Sequence, residues 1–194
     1  MHDRELASRL DRIEGQLAIQ QLAARFARGV DSRDIDAIVS LFSPTADFGR
    51  FGIEEKGQPG ARALFGAEET LAHFYRSMHQ ICGHVIELDG SDYADGTVYC
   101  RVDSEDGDHW IVQLMIYFDR YRRVDGRWYI EERQFTYLHT GEQGVNPQDA
   151  SFNDWPGWAG SDALFAPSLP NRWPSWESYW QDRPQLAAKR TRRP

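Results

Sequence analysis

Cysteine is nearly absent from this 194-residue chain, and the two present, Cys82 and Cys100, are too few for a disulfide framework. Neither stands in a metal-type spacing, and both lie in apolar, strand-like segments where a buried reduced thiol is expected. Long apolar runs are missing as well. No stretch reaches the roughly eighteen residues a membrane helix needs, and the opening His2-Asp3-Arg4-Glu5 lacks the apolar region of a secretory signal. A soluble cytoplasmic protein with no membrane partner is the expectation. Basic charge is the minority: 22 Lys and Arg against 30 Asp and Glu give a net charge of −8 and a pI near 5.2. That balance excludes a general nucleic-acid surface. The one basic cluster, Lys189, Arg190, Arg192 and Arg193, reads as a solvated tail. A Gly-rich phosphate loop, a nucleophile elbow and a zinc spacing are all missing. The acidic run Asp103, Glu105, Asp106 and Asp108 lacks the glycine and distal glutamate of a calcium loop and reads as a solvated hairpin. No metal and no organic cofactor is expected.

What is present describes one ordinary globule. Hydrophobic residues make 41% and charged residues 27%, and the length suits one domain better than two. Residues 3 to 30 read as helix: Leu6, Leu10, Ile13 and Leu17 recur at four- and three-residue steps, and Ile19, Leu22, Phe26 and Val30 continue the stripe, with a bend or break at Gly15. A short helix with Ile35, Ile38, Val39 and Phe42 inward stops at Ser43-Pro44. Residues 46 to 51 suggest a strand, 52 to 66 a Gly-rich loop, and 68 to 78 a third helix with the stripe Leu71, Phe74, Tyr75 and Met78. Strands follow over 84 to 88, 93 to 102, 109 to 123 and 127 to 137. Asp125-Gly126 between the last two is the strongest hairpin signal in the chain. Helices first and hairpin-linked strands later define an α+β fold with an antiparallel sheet. Beyond residue 141 the composition shifts. Seven of nine prolines and five of seven tryptophans (Trp155, Trp158, Trp173, Trp176 and Trp180) lie there, so 1 to 140 is read as the domain and 141 to 194 as an irregular arm that packs on it or on a neighbouring subunit.

Three landmarks carry a resemblance. Gly29 to Ile38 with Leu41-Phe42-Ser43-Pro44 and Ala46-Asp47-Phe48 resembles the opening of SnoaL-like proteins of the nuclear transport factor 2-like superfamily. Met78 to Gly90, with His79 and Ile86-Glu87-Leu88-Asp89-Gly90, is similar to their central strand, and Tyr121 to Ile130 to their final hairpin. The landmarks span roughly residues 10 to 140 in the right order. The resemblance implies a cone-like α+β barrel, N-terminal helices packed on a curved antiparallel sheet that encloses a small-molecule pocket. Within the superfamily it runs toward scytalone dehydratase, bile-acid dehydratase and hexachlorocyclohexane dehydrochlorinase, lyases whose catalytic Asp and His match Asp31 and His79 by motif. The sequence departs from them too. Phe26 and Val30 stand near where the first two have a phenol, Tyr137 stands where the bile-acid enzyme has an arginine, and a second catalytic histidine has no clear counterpart.

The residues make their own case. Asp31 closes an amphipathic helix at its negative end, where a carboxylate needs a compensating partner. A carboxylate bonded to one imidazole nitrogen fixes the tautomer and leaves the other nitrogen free to take a proton. Read singly, Asp31 is a helix stop and His79 a helix-end cation; read together they are an acid–imidazole dyad. His84 lies in a strand and faces either way, His73 reads as a surface helix residue, and His109 and His139 flank strands and rank below His79 as site candidates. Tyr99, Tyr117, Tyr137 and Arg133 fall on the concave-sheet strands as groups able to hold a carbonyl oxygen, though Arg133 can equally pair with Glu131, Glu132 or Asp119. Phe26, Trp110, Met115, Phe118 and Phe135 are candidate apolar lining or core. Three functions stay open. One is a cofactor-independent dehydratase-type lyase on a small hydrophobic, cyclic hydroxy-carbonyl compound, another an isomerase or polyketide-type cyclase using the same base, and the third a binding module without catalysis. Open sheet faces and the Trp-rich arm predict a homo-dimer or homo-trimer.

Overall fold

The computed structural model describes residues 2–144, 147, 157 and 169–191. It opens with one unbroken helix, α1 (His2–Asp31), which does not bend at Gly15. A Cβ at that position would lie 3.1 Å from the indole nitrogen of Trp128, so the glycine is there for close packing against the sheet. The helix carries two apolar stripes, not one. Ile19, Leu22, Ala23 and Phe26 are buried against the sheet, whereas Leu6, Leu10, Ile13 and Leu17 are each more than half exposed. The two-residue step from Leu17 to Ile19 rotates the stripe to the opposite face, because each residue turns the helix by about 100°.

Asp31, Ser32 and Arg33 turn the chain, with Arg33 in the left-handed region at φ 56°. Asp34 then caps the short α2 (Ile35–Val39) by accepting from the Ala37 amide at 2.9 Å. The expected strand at 46 to 51 is replaced by turns and a 3-10 segment, Gly49–Phe51. The Gly-rich stretch expected as a loop forms α3 (Gly57–Gly66), which packs Ala61 and Phe65 on the core. The third helix is far shorter than its pattern suggested: α4 is Glu68–Leu71, and from Arg76 the chain is already strand.

The sheet is a four-stranded antiparallel meander, β1 (Arg76–Leu88), β2 (Tyr93–Asp106), β3 (His109–Val124) and β4 (Arg127–Gln143), in the order β1-β2-β3-β4. Asp125-Gly126 makes the β3–β4 turn with both residues at positive φ, as the hairpin signal requires. The supposed acidic loop after Val102 is strand up to Asp106, where Glu105 is buried against Arg76 at 2.6 Å. A shift in the β1–β2 register between Ile81 and Gly83 leaves Cys82 unpaired and exposed, against expectation, while Cys100 is buried. The parity shared by Leu114, Ile116 and Phe118 faces outward on the sheet, beside Tyr99 and Val85, and the opposite parity, with Met115, Tyr117 and Tyr121, faces α1.

The sheet continues to Gln143, three residues past the expected domain limit at 140. The described part of the C-terminal region is not an extended arm but two short helices, α5 (Pro174–Gln181) and α6 (Pro184–Arg190), each begun by a proline in its first turn. Trp176, Tyr179 and Trp180 of α5 belong to the same core as α1, α2 and the sheet, so this part packs on its own chain. Arg190 pairs with Asp106 at 2.8 Å and the Lys189–Arg190 end is therefore docked; Arg192 and Arg193, like Trp155 and Trp158, lie outside the described residues. Among the described residues no helix is long and apolar enough to cross a membrane.

Candidate functional site

Helix α1 ends, and β1 begins, at the same spot inside the fold. Asp31 is the last residue of α1 and is 3% exposed. Its Oδ2 accepts the backbone N–H of His79 at 2.8 Å, and its Oδ1 accepts the Ser77 hydroxyl at 3.0 Å and lies 2.6 Å from His79 Nδ1. An ionised carboxylate only accepts, so Nδ1 carries the hydrogen and Nε2 keeps its lone pair. No described residue bonds Nε2, and His79 lines the cavity. The position in β1 corrects the helix-end placement of His79: Ser77 and His79 sit two apart on a strand and point the same way.

Arg33 completes the support. Its guanidinium is buried and donates to the carbonyl oxygens of Val30 and Phe74 and to Ser77 Oγ at 2.9 Å. These bonds hold a non-glycine residue in a left-handed turn that otherwise costs about 1 kcal/mol. Burial lowers the Arg33 guanidinium to about 10, opposed by the Asp31 carboxylate, and it stays charged at neutral pH. The Ser77 hydroxyl therefore accepts from Arg33 and donates to Asp31, which orders all four residues. Helix α5 braces the arrangement from outside: Ser175 donates to Ser32 O at 2.8 Å and the Trp176 indole to Tyr75 O at 3.3 Å.

The dyad opens on a cavity of about 450 Å³. Phe26, Leu71, Val102, Met115, Tyr117 and Phe135 contribute to its apolar wall. Ser104, opposite Ser77 in the β1–β2 register, lines it with a fully buried hydroxyl that has no hydrogen-bond partner among the described residues. Burial pushes the Tyr117 hydroxyl well above its ordinary value, so it stays a neutral donor, and pushes the neighbouring Cys100 thiol up to about 11.

The other candidates divide. Phe26, Tyr117 and Tyr137 line the cavity, Tyr137 at an exposed position. Tyr99 and Trp110 do not: Tyr99 is on the outward parity of β2, half exposed, and the Trp110 indole donates to Asp103 on the same face. Arg133 is buried behind the wall, stacked between the rings of Phe26 and Tyr117 at 4.4 and 4.5 Å, with both carboxylate oxygens of Asp119 as partners. His84 faces the interior but bonds the Tyr121 hydroxyl at 2.9 Å, away from the cavity lining. His73 is exposed, as expected, though in a turn rather than a helix, and it also borders the cavity. Arg33, Ser77 and Ser104 were not singled out from the sequence. Only the two-residue alternation Ser77–His79 marked any of them, and reading that segment as helix hid it. Among the described residues no group of three or more His, Cys, Asp or Glu side chains is placed to hold a metal ion.

An α+β cone with a carboxylate–imidazole pair at one end of a mostly apolar cavity is a defined class of fold. The model of the SnoaL-like domain matches residues 11–134, and the chain belongs to that family, within the nuclear transport factor 2-like superfamily. Solved structures agree in fold. A hexachlorocyclohexane dehydrochlorinase, LinA type 2, is 23% identical over 71% of this chain and 95% of its own, with a TM-score of 0.63. A candidate scytalone dehydratase from Novosphingobium aromaticivorans is 15% identical over 70% and 92%, at 0.57. A Mycobacterium tuberculosis protein of unknown function reaches 91% of this chain and 97% of its own, at 20% identity and 0.52. At such identities the likeness is one of fold. No curated protein matches the chain.

Proposed function

We propose that this protein is a cofactor-independent lyase that eliminates water from a small, hydrophobic, cyclic hydroxy-carbonyl compound. The observation that carries the reading is the 2.6 Å contact of Asp31 with His79 Nδ1 at an apolar cavity, because it leaves Nε2 as a bare base there. His79 Nε2 takes the proton from the carbon next to the carbonyl, and the freed electron pair moves toward the carbonyl oxygen. The Tyr117 and Ser104 hydroxyls, one held neutral by burial and one without a partner among the described residues, are the groups that receive that oxygen. As the electron pair returns to form the carbon–carbon double bond, the β-hydroxyl departs and takes the proton back from Nε2 as water. Base and acid are one group, so no cofactor enters the balance. A positioned base of this kind contributes about 10²–10⁴ in rate. Two solved relatives bear names of eliminations, a dehydrochlorinase and a candidate dehydratase, which supports this class over others.

The partner is accordingly a small molecule. The net charge of −8 speaks against nucleic acid and anionic membranes, the exposed free thiol of Cys82 suits a cytoplasmic setting, and the apolar outward residues suit self-association. The test is incubation with a panel of cyclic β-hydroxy ketones, reading product mass. Loss of one water with the parent protein, and none with His79→Ala, is the expected result. A product of unchanged mass would make the enzyme an isomerase or cyclase instead, and full turnover by His79→Ala would end the reading.

A further inference from the structure

The first half of α1 has an apolar stripe that its own fold leaves uncovered. Leu6, Leu10, Ile13 and Leu17 are between 53% and 57% exposed. At about 100° per residue all four lie within about 40° of the direction opposite Gly15, and Gly15 is the point where the helix touches Trp128 of the sheet. Asp11, on the Gly15 side, ties the same half-helix to Arg123 at 2.8 Å. The helix is therefore held to the body by one face and presents the other.

The spacing of that face is specific. Steps of four, three and four residues are those of a heptad seam, with Leu6 and Ile13 at d, Leu10 and Leu17 at a, and Gly15 at f, the position farthest from the seam. The flanking positions carry charge of opposite sign: Arg9 is at g and Glu14 at e, both exposed. In a parallel pair, g of one helix meets the e position five residues on in its neighbour, which sets Arg9 beside Glu14 of the other copy, twice by symmetry. An antiparallel pair would instead set Arg9 near Gln16 and Glu14 near Ala7, with no charge gained. Further along the same face stand Gln20 and the small Ala24, both exposed, so the face stays open beyond Leu17.

We infer that this stripe is a self-docking surface: α1 packs in parallel against α1 of a second copy of this chain, through Leu6, Leu10, Ile13 and Leu17, with Arg9–Glu14 pairs on either side. The contact lies away from the cavity, whose lining includes none of these residues.

Sedimentation equilibrium of the full chain over the micromolar range tests this. The parent sediments above its 22.4 kDa monomer mass, and the double variant Leu10→Gln/Leu17→Gln sediments at it, with unchanged circular dichroism because both side chains are exposed. Arg9→Glu weakens association about tenfold, and adding Glu14→Arg restores it. In a Cys82→Ser background, Leu10→Cys oxidises to a covalent dimer, because equivalent a positions face each other only in the parallel arrangement. A monomeric parent overturns the inference. So does an oligomer indifferent to the Leu10 and Leu17 changes, which assigns association to the outward face of the sheet. Failure of Arg9→Glu/Glu14→Arg to recover what Arg9→Glu loses overturns the parallel register.

Discussion

Replacing Asp31 by Asn removes one charge and one lone-pair set without changing size, and the hydrogen-bond geometry dictates the outcome. Asp31 Oδ2 accepts from a backbone amide that cannot rotate, while Oδ1 accepts from the Ser77 hydroxyl and His79 Nδ1, which can adjust. The side-chain nitrogen of the introduced asparagine would oppose the fixed backbone donor if it took the Oδ2 position. It therefore takes the Oδ1 position and donates to His79 Nδ1. The imidazole must then carry its hydrogen on Nε2, the atom assigned as base, and lose proton abstraction. The rate falls by about 10²–10⁴, the range for loss of a positioned base. Stability falls too, because one charge-assisted bond is lost and the buried Arg33 guanidinium loses a nearby opposite charge. At about 2–3 kcal/mol for that change, and about 2–4 °C per kcal/mol for a chain of this size, the melting temperature drops by about 4–12 °C with the fold retained. Imidazole nitrogen-15 spectra at neutral pH read the tautomer directly and need no substrate. The parent shows hydrogen on Nδ1 and Asp31→Asn shows it on Nε2. An identical tautomer in both proteins, or turnover by the variant within about tenfold of the parent, refutes the reasoning.

Ser104→Ala deletes a buried hydroxyl that has no partner among the described residues, so it leaves the melting temperature unchanged or raises it slightly while KM rises and kcat falls; a loss of about 2 kcal/mol or more in a denaturant titration would mean the hydroxyl serves the fold instead. Burial holds the His84 imidazole below its ordinary value, with Asp119 opposing, so the unfolded chain takes up a proton that the native state resists. Native stability from this group is full above pH ~6.5 and declines as pH falls through that value, and a melting series down to about pH 5 should show a steeper decline for the parent than for His84→Gln. Trp176→Ala should cost about 3–5 kcal/mol by urea unfolding, since the indole packs on Tyr75 and Trp180 and donates to Tyr75 O; a loss under about 1 kcal/mol would detach α5 from the core.

The parts of the fold legible in the sequence were those in which local pattern and tertiary pairing agree. The alternation of β3 and the Asp125-Gly126 turn describe a hairpin that the ladder from Met115–Tyr137 to Val124–Arg127 then forms. Elsewhere tertiary context won. Leu71, Phe74, Tyr75 and Met78 recur at helical spacing, yet from Arg76 onward the backbone is claimed by β2, with Arg76 opposite Glu105 and bonded to it. Gly57, Pro59 and Gly60 looked like loop residues, but the proline sits in the first turn of α3, where its missing N–H costs nothing. Gly60 fits there because a Cβ would meet Glu55 O at 2.1 Å. In α1 the slip between Leu17 and Ile19 was written in the spacing, and taking the two stripes as one concealed an outward face. For the site, motif and charge logic pointed to Asp31 and His79. Ser77, Arg33 and Ser104 stayed hidden because a lone serine or arginine carries no periodic signal until the strand register sets it opposite a neighbour.

Among the described residues two carboxylate–imidazole chains are buried inside the fold, apart from the exposed His109–Glu142 pair, and their difference bears on which is suited to chemistry. In the first, Arg33, Ser77, Asp31 and His79 follow one another, and every donor points toward the carboxylate, so the last nitrogen is left bare toward the cavity. In the second, Arg133 and the Tyr121 hydroxyl both donate to Asp119, and Tyr121 in turn accepts from His84 Nε2, so this imidazole spends its hydrogen inward. Its other nitrogen is buried with no partner among the described residues, and His84 is not part of the cavity lining. Burial there disfavours the charged ring, and a proton taken up would have no substrate to go to. The second chain instead fixes the Arg133 cation under the rings of Phe26 and Tyr117, both of which form the cavity wall. A cation against the ring faces favours a rigid, electron-withdrawing floor beneath the Tyr117 hydroxyl. In the proposed reaction the open chain would supply the base and the closed chain would steady a donor in the same cavity lining, and that division follows from which end of each hydrogen-bond sequence meets the cavity.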